Sequence, residues 1–216
     1  MDKRRAIIFS NGIIRNINFY RTLIKKNDFI ICADGGLKFA KKLGLKPDLL
    51  IGDFDSLGRK EILGIEKNGT RVLKFPAEKD KTDTQLALEY ALSNGAREII
   101  MLGSLGGRTD HMLANIHLLK MGTDKNVDIK LIDEFNEIRL IKKTITFKAK
   151  KRETLSLIPF SNKVAGIYTK GLKYALKNGE MVLGNPYGVS NVAVSAKVKI
   201  KIRSGLLLVI RNLFSK

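Results

Sequence analysis

Apolar residues follow two different rhythms along this chain. Up to about residue 134, short apolar runs alternate with stretches of helical spacing. Runs at 6–10, 28–32, 49–51, 70–75, 98–102 and 127–132 read as buried strands. Between them, 14–26, 37–43, 58–67, 82–94 and 109–121 read as helices. In 82–94, Leu86, Ala87, Tyr90 and Ala91 share a face, and Asn94-Gly95 marks the end. In 109–121, Leu113, Ile116 and Leu119 do the same, and Gly122 reads as the stop. Strands alternating with helices predict an α/β fold, a mostly parallel sheet with helices on both faces.

Beyond about residue 135 the period is two. Runs at 137–141, 144–149, 154–158, 166–168, 192–195, 198–202 and 206–210 are separated by turn signals such as Lys177-Asn178-Gly179 and Asn185-Pro186-Tyr187-Gly188. This predicts an antiparallel β unit, sandwich or barrel-like. Two domains are expected, 1–134 and 135–216.

Composition narrows the class. Hydrophobic content of 44% with 28% charged residues is that of a soluble globular protein. Cys32 is the only cysteine, which excludes an internal disulfide and fits a reducing compartment. The charged start, Met1 to Ala6, lacks the apolar core of a signal peptide. No apolar run approaches the roughly 20 residues of a membrane span. A cytoplasmic protein with no membrane partner is expected.

The net charge of +19 is uneven, +5 over 1–134 and +14 over 135–216. Lysines alternate with apolar residues in Ala196-Lys197-Val198-Lys199-Ile200-Lys201-Ile202, the pattern of a solvated strand face. Aromatics are 7% and tryptophan is absent, so base-stacking platforms are sparse and no nucleic-acid partner is expected.

The candidate chemistry sits where predicted strands end. An open parallel sheet binds ligands beyond its strand carboxyl ends. There lie Ala33-Asp34-Gly35-Gly36, Gly52-Asp53-Phe54-Asp55-Ser56, Asp80-Lys81-Thr82-Asp83 and Gly103-Ser104-Leu105-Gly106-Gly107-Arg108-Thr109-Asp110-His111. If 52–56 is extended, Asp53 and Asp55 point to one side and can converge on a hard cation such as Mg²⁺. Asp83 is either an N-terminal helix cap or a third metal ligand. Gly35 and Gly36 allow close backbone approach to a ligand. The loop from Gly103 through Gly107 opens onto a helix N-terminus, a ready anion site, and Arg108 can fork onto a phosphate. His111 and Asn115, four residues apart on one face, can hold a nucleotide.

Those four segments, in that order, resemble the thiamine pyrophosphokinase family. The likeness continues in Ser156-Leu157-Ile158-Pro159, Thr169-Lys170-Gly171-Leu172-Lys173-Tyr174 and Gly188-Val189-Ser190-Asn191. It implies an α/β domain followed by a β-sandwich, and transfer of pyrophosphate from ATP, the co-substrate, to thiamine. It implies Mg²⁺ on Asp53, Asp55 and Asp83, which would be the catalytic residues, with Asp34 close by. ATP would meet Asp34, Gly35, Gly36, Lys81, Thr82, Gly103, Ser104, Gly107, Arg108, Asp110, His111 and Asn115. Thiamine would meet Asp80, Tyr174, Ser190 and Asn191. A homodimer with active sites at the subunit interface is implied too. The chain departs from the family pattern at Ala175, often proline in bacterial members, and at Val192-Ala193, usually Glu-Phe. Both departures fall on the thiamine side. Two rival readings fit part of the pattern: a Mg²⁺-dependent phosphohydrolase with Asp53 as nucleophile, and a basic nucleic-acid-binding protein. The first leaves the Gly106–His111 loop unexplained.

Overall fold

A computed structural model describes residues 5–55, 57–185 and 187–213. The chain divides into two compact units, Met1–Glu134 and Phe135–Lys216.

The first unit runs β1 (Arg5–Phe9), α1 (Ile17–Leu23), β2 (Phe29–Ala33), α2 (Leu37–Lys42), β3 (Leu49–Gly52), α3 (Arg59–Lys67), β4 (Arg71–Lys74), α4 (Asp83–Ser93), β5 (Glu98–Leu102), α5 (Thr109–Lys125) and β6 (Asp128–Ile132). All its strand pairs are parallel, in the order β6-β5-β1-β2-β3-β4. The chain builds outward from β1 to β4, then returns to the other side of β1 for β5 and β6. The order therefore reverses between β1 and β5, where an open sheet leaves a crevice for ligands. The inner strands β1, β2, β3 and β5 form because their residues are apolar on both faces. Ile7, Ile8, Ile31, Leu49, Leu50, Ile99 and Met101 are all fully buried.

Two helices differ from the expected lengths, each for a local reason. α1 starts at Ile17 because the Asn16 side chain accepts the Phe19 N–H at 3.2 Å, so Ile14 stays outside. The entry to α1 is held by Glu134, whose Oε1 accepts the Arg15 and Asn16 N–H groups at 2.7 Å each. Its Oε2 accepts the hydroxyl of buried Tyr20 at 2.7 Å. α5 runs through Gly122 to Lys125. A Cβ on Gly122 would lie 2.6 Å from the Ile129 side chain, so this glycine permits close packing on β6 and ends nothing. Asn126, left-handed at φ 58°, terminates the helix.

The second unit contains β7 (Asn136–Ile141), β8 (Thr144–Lys148), β9 (Thr154–Pro159), β10 (Lys163–Lys170), β11 (Gly179–Val182), β12 (Asn191–Val192), β13 (Lys197–Lys201) and β14 (Leu207–Asn212). They form two antiparallel runs, β12-β9-β14-β7 and β11-β10-β13-β8. Leu155, Leu157, Val164, Ile167, Met181, Val198, Ile200 and Val209 make the core. The unit has the antiparallel character its period-two pattern predicts. Gly179, read as a turn residue, instead opens β11, and the run at 192–195 contributes only the two-residue β12. Pro186 of the expected turn lies outside the described residues. Lys197, Lys199 and Lys201 point outward while Val198 and Ile200 are buried, which is the solvated face the alternation predicts. Arg211 bridges buried Glu153 at 2.7 Å and Glu137 at 3.3 Å. Among the described residues, no helix is long and apolar enough to cross a membrane.

Candidate active site

The ends of β1 and β5 are stitched together at the crevice. The Ser10 N–H donates to the Leu102 carbonyl and the Gly12 N–H to the Gly103 carbonyl, both at 2.8 Å. Three hydroxyls follow: Thr84 Oγ1 is 3.0 Å from Ser10 Oγ, which is 3.2 Å from Ser104 Oγ. Asn115 on α5 donates its amide to the Ser104 carbonyl at 2.9 Å. These contacts floor a cleft of about 570 Å³ within the first unit.

One wall of the cleft is glycine-rich and ends at the start of α5. Gly103, Ser104, Gly106, Gly107, Arg108 and His111 line it. Gly106 and Gly107 both have φ above +70°, a left-handed bend that suits glycine. The Arg108 side chain does not cap α5, while Asp110 Oδ1 accepts the His111 N–H at 2.9 Å, so the helix start presents its positive dipole end with one of its first N–H groups already taken. Arg108 is folded onto Asp110 at 2.6 Å, and that guanidinium, with the His111 N–H, holds the Asp110 carboxyl down to about 2. Both side chains are exposed.

The opposite wall is anionic. Asp34, Asp53 and Asp83 line it, from β2, β3 and the start of α4. Burial raises the carboxyl of Asp34 above its ordinary range; its bond from the Gly35 N–H opposes this, and the charges of Asp53, Asp83 and Asp55 add to the rise. Two buried oxygens, Asp34 Oδ1 and Asp83 Oδ1, have no hydrogen-bond partner. Asp83 Oδ1 lies 3.0 Å from Lys79 Nζ, an ion pair without hydrogen-bond geometry, and Asp53 Oδ2 lies 4.0 Å from the same nitrogen.

Several expected residues occupy other places. The segment after β3 is not extended: buried Phe54 is left-handed at φ 61°, and Asp53 Oδ1 accepts the Asp55 N–H at 3.1 Å. Asp53 faces the cleft, while Asp55 is exposed and contributes no lining. An aromatic residue in the left-handed region costs of order 1–3 kcal/mol and is characteristic of functional turns. Ser56 lies outside the described residues. The cap of α4 is Thr82, which accepts the Gln85 N–H at 3.1 Å, so Asp83 is released from that duty. Gly35 and Gly36 do not line the cleft. A Cβ on Gly36 would stand 2.0 Å from the Phe9 carbonyl, and one on Gly35 2.5 Å from the Asn11 side chain. Their small size lets the turn after β2 pack on the end of β1. Lys81 lines the cleft while paired with Glu89 at 2.8 Å, and Thr82 lines it too; Asp80 is exposed outside it.

The second unit holds the remaining expected residues. Asn191 is buried, with Oδ1 accepting the Tyr174 N–H at 3.0 Å and Nδ2 donating to the Tyr174 carbonyl at 2.8 Å. Its amide thus fixes the Tyr174 backbone, leaving that ring exposed. Ser190, left-handed at φ 59°, donates its N–H to Ser156 Oγ at 3.1 Å.

Residues not anticipated from sequence also line the cleft: Ser10, Asn11, Gly12, Ile13, Lys79, Thr84 and Met112. Ser10 to Ile13 follow β1, and only the strand order reveals that β1 flanks the switch point. Lys79 directly precedes the Asp80–Asp83 segment, yet its charge gave no sign that it turns inward.

A helix start and three carboxylates lining one cleft at the switch point make this the ligand crevice of an open α/β sheet. Comparison with known proteins gives the particular family. A family model described as "Thiamin pyrophosphokinase, catalytic domain" matches residues 20–131. One described as "Thiamin pyrophosphokinase, vitamin B1 binding domain" matches residues 142–207. The thiamine pyrophosphokinase of Bacillus subtilis is 35% identical over 184 residues, covering 84% of this chain and 86% of its own. The crystal structure of the B. subtilis protein superposes with a TM-score of 0.86 at 32% identity, covering 96% of this chain and 98% of that one. The Geobacillus thermodenitrificans structure gives 0.84 at 29%, covering 98% and 99%. The chain belongs to the thiamine pyrophosphokinase family.

Proposed function

We propose that the first unit binds ATP and a divalent cation and that the second supplies thiamine-binding residues. The reaction is the family's: pyrophosphoryl transfer from ATP to the thiamine hydroxyl, giving thiamine diphosphate and AMP. The observation that carries the site assignment is that the Gly106-Gly107 bend at the α5 start and the carboxylates of Asp34, Asp53 and Asp83 line one cleft.

Magnesium is judged by the donors. Among the described residues, no three acidic or imidazole side chains are close enough together, as they stand, to hold a metal. Two orphaned carboxylate oxygens and an all-oxygen wall nonetheless fit a hard cation that keeps several waters and shares phosphate ligands. Asp53 and Asp83 would hold it, with Asp34 beside them and Asp55 acting at longer range. When bound, Mg²⁺ would neutralise charge on the phosphate oxygens.

The chain's own groups supply the positioning on which phosphoryl-type transfer depends. The α5 start and the Gly106-Gly107 bend receive phosphate oxygens on N–H groups. Arg108, exposed and, among the described residues, held by Asp110, can turn onto the phosphates. Ser10, Thr84 and Ser104 provide hydroxyls on the cleft floor. In the second unit, Asn191 fixes Tyr174, whose exposed ring offers an apolar face to a cationic heterocycle.

We further propose a homodimer in the cytoplasm. Tyr174, Leu183, Tyr187, Val189 and Val194 are exposed apolar side chains of the second unit, material for an interface. A single buried cysteine suits a reducing compartment. Light scattering at micromolar concentration should give twice the chain mass, and a monomer that is fully active would overturn the dimer. The function is tested by omission. AMP should form only when ATP, a divalent cation and thiamine are all present. AMP or ADP formed equally without thiamine would contradict it.

A further inference from the structure

Lys79 has no assigned role, yet its ammonium sits between two aspartates of the anionic wall. It is 3.0 Å from Asp83 Oδ1 and 4.0 Å from Asp53 Oδ2, with its side chain 14% exposed. It donates a hydrogen bond to the Pro76 carbonyl at 3.0 Å and none to Asp83, whose Oδ1 remains unsatisfied. Asp34, Asp53 and Asp83 crowd like charges along one wall of the cleft, an arrangement that favours a cation among them. The other cations of the cleft are engaged elsewhere, Lys81 with Glu89 and Arg108 with Asp110.

We propose that Lys79 is a positioning residue, an internal counter-cation that holds the place between Asp53 and Asp83 until a divalent cation takes it. This rests on the reading that those aspartates bind the metal. Lysine suits the task. Its ammonium is a compact point charge on a flexible stem, with no rigid fork locked onto a carboxylate, so it can withdraw. The arriving ion displaces one positive charge with two. The released ammonium then stands beside the incoming phosphates, within reach of their oxygens. Metal binding thus becomes an exchange of cations between Asp53 and Asp83.

The test is Mn²⁺ binding to the nucleotide-free protein, followed by electron paramagnetic resonance and calorimetry. Lys79→Met removes the competitor and should tighten the apparent Kd about tenfold. Lys79→Arg keeps the charge and should leave Kd unchanged or weaker. Lys42→Met, an exposed lysine on α2, controls for net charge and should change nothing. Without metal, Lys79→Met should melt lower than wild type and gain more from added Mn²⁺. A folded Lys79→Met protein that binds Mn²⁺ with wild-type or weaker affinity overturns the role of Lys79 and leaves the metal assignment standing. Absence of Mn²⁺ binding in every variant overturns both.

Discussion

Alanine at Gly103 should damage this protein more than alanine at Gly107, four residues along the same loop. Both glycines are left-handed, at φ 64° and 72°. That conformation alone costs a side chain about 1 kcal/mol. Around Gly107 nothing lies within 4 Å of a built Cβ, so the conformational cost is the whole effect. At Gly103 the Cβ would stand 2.6 Å from the Ser10 carbonyl oxygen. That carbonyl cannot retreat freely, because the Ser10 and Gly12 N–H groups are bonded to Leu102 and Gly103. Overpacking of this kind adds about 1–3 kcal/mol. Gly103→Ala should therefore lose about 2–4 kcal/mol, against about 1 for Gly107→Ala. Urea denaturation with equal m-values measures the difference. Relief by moving Ser10 also breaks its hydroxyl contacts to Ser104 and Thr84, so the KM for ATP should rise in Gly103→Ala. Equal stability of the two variants, within about 0.5 kcal/mol, would refute the close-approach argument.

Other expectations address the carboxylates and the second unit. Asp53→Asn or Asp83→Asn should lower turnover by about two orders of magnitude or more with unchanged circular dichroism; near-normal activity in either contradicts the metal assignment. Asp34 has a raised carboxyl, so its contribution to stability is complete at low pH and lost as pH rises through the raised value. Asp34→Asn should thus stabilise the metal-free protein near neutral pH, by an amount that shrinks as the pH falls and the wild-type carboxyl takes up its proton; thermal melts showing one constant offset would contradict this. Arg211→Met leaves buried Glu153 without its cation and should cost about 3–5 kcal/mol in urea melts, partly recovered by adding Glu153→Gln; a loss below about 1 kcal/mol would count against the buried pair.

Much of the fold can be read from periodicity, because both-face burial and period two are local signatures. The misreadings are those where tertiary contact decides. Gly122 looks like a helix stop, yet Ile129 on β6 requires it inside α5. Gly179 looks like a turn residue, yet it starts β11 beside β10. The four loops were legible as a set, because acids and glycines gather at strand ends. Their internal geometry was not. Nothing local announces that Phe54 turns left-handed and separates Asp53 from Asp55, or that Thr82 takes the cap and frees Asp83. Ser10 and Asn11 were invisible as site residues, since their place depends on β5 pairing with β1 across 93 residues of chain, from Arg5 to Glu98.

The central claim is that the two terminal phosphates leave ATP together. Tracing them with α-labelled and γ-labelled ATP, Mg²⁺ and thiamine is the most direct measurement. The account predicts γ label in thiamine diphosphate and α label in AMP, in equal amounts. Label from the γ position appearing in thiamine monophosphate or inorganic phosphate, with ADP as the nucleotide product, would contradict it.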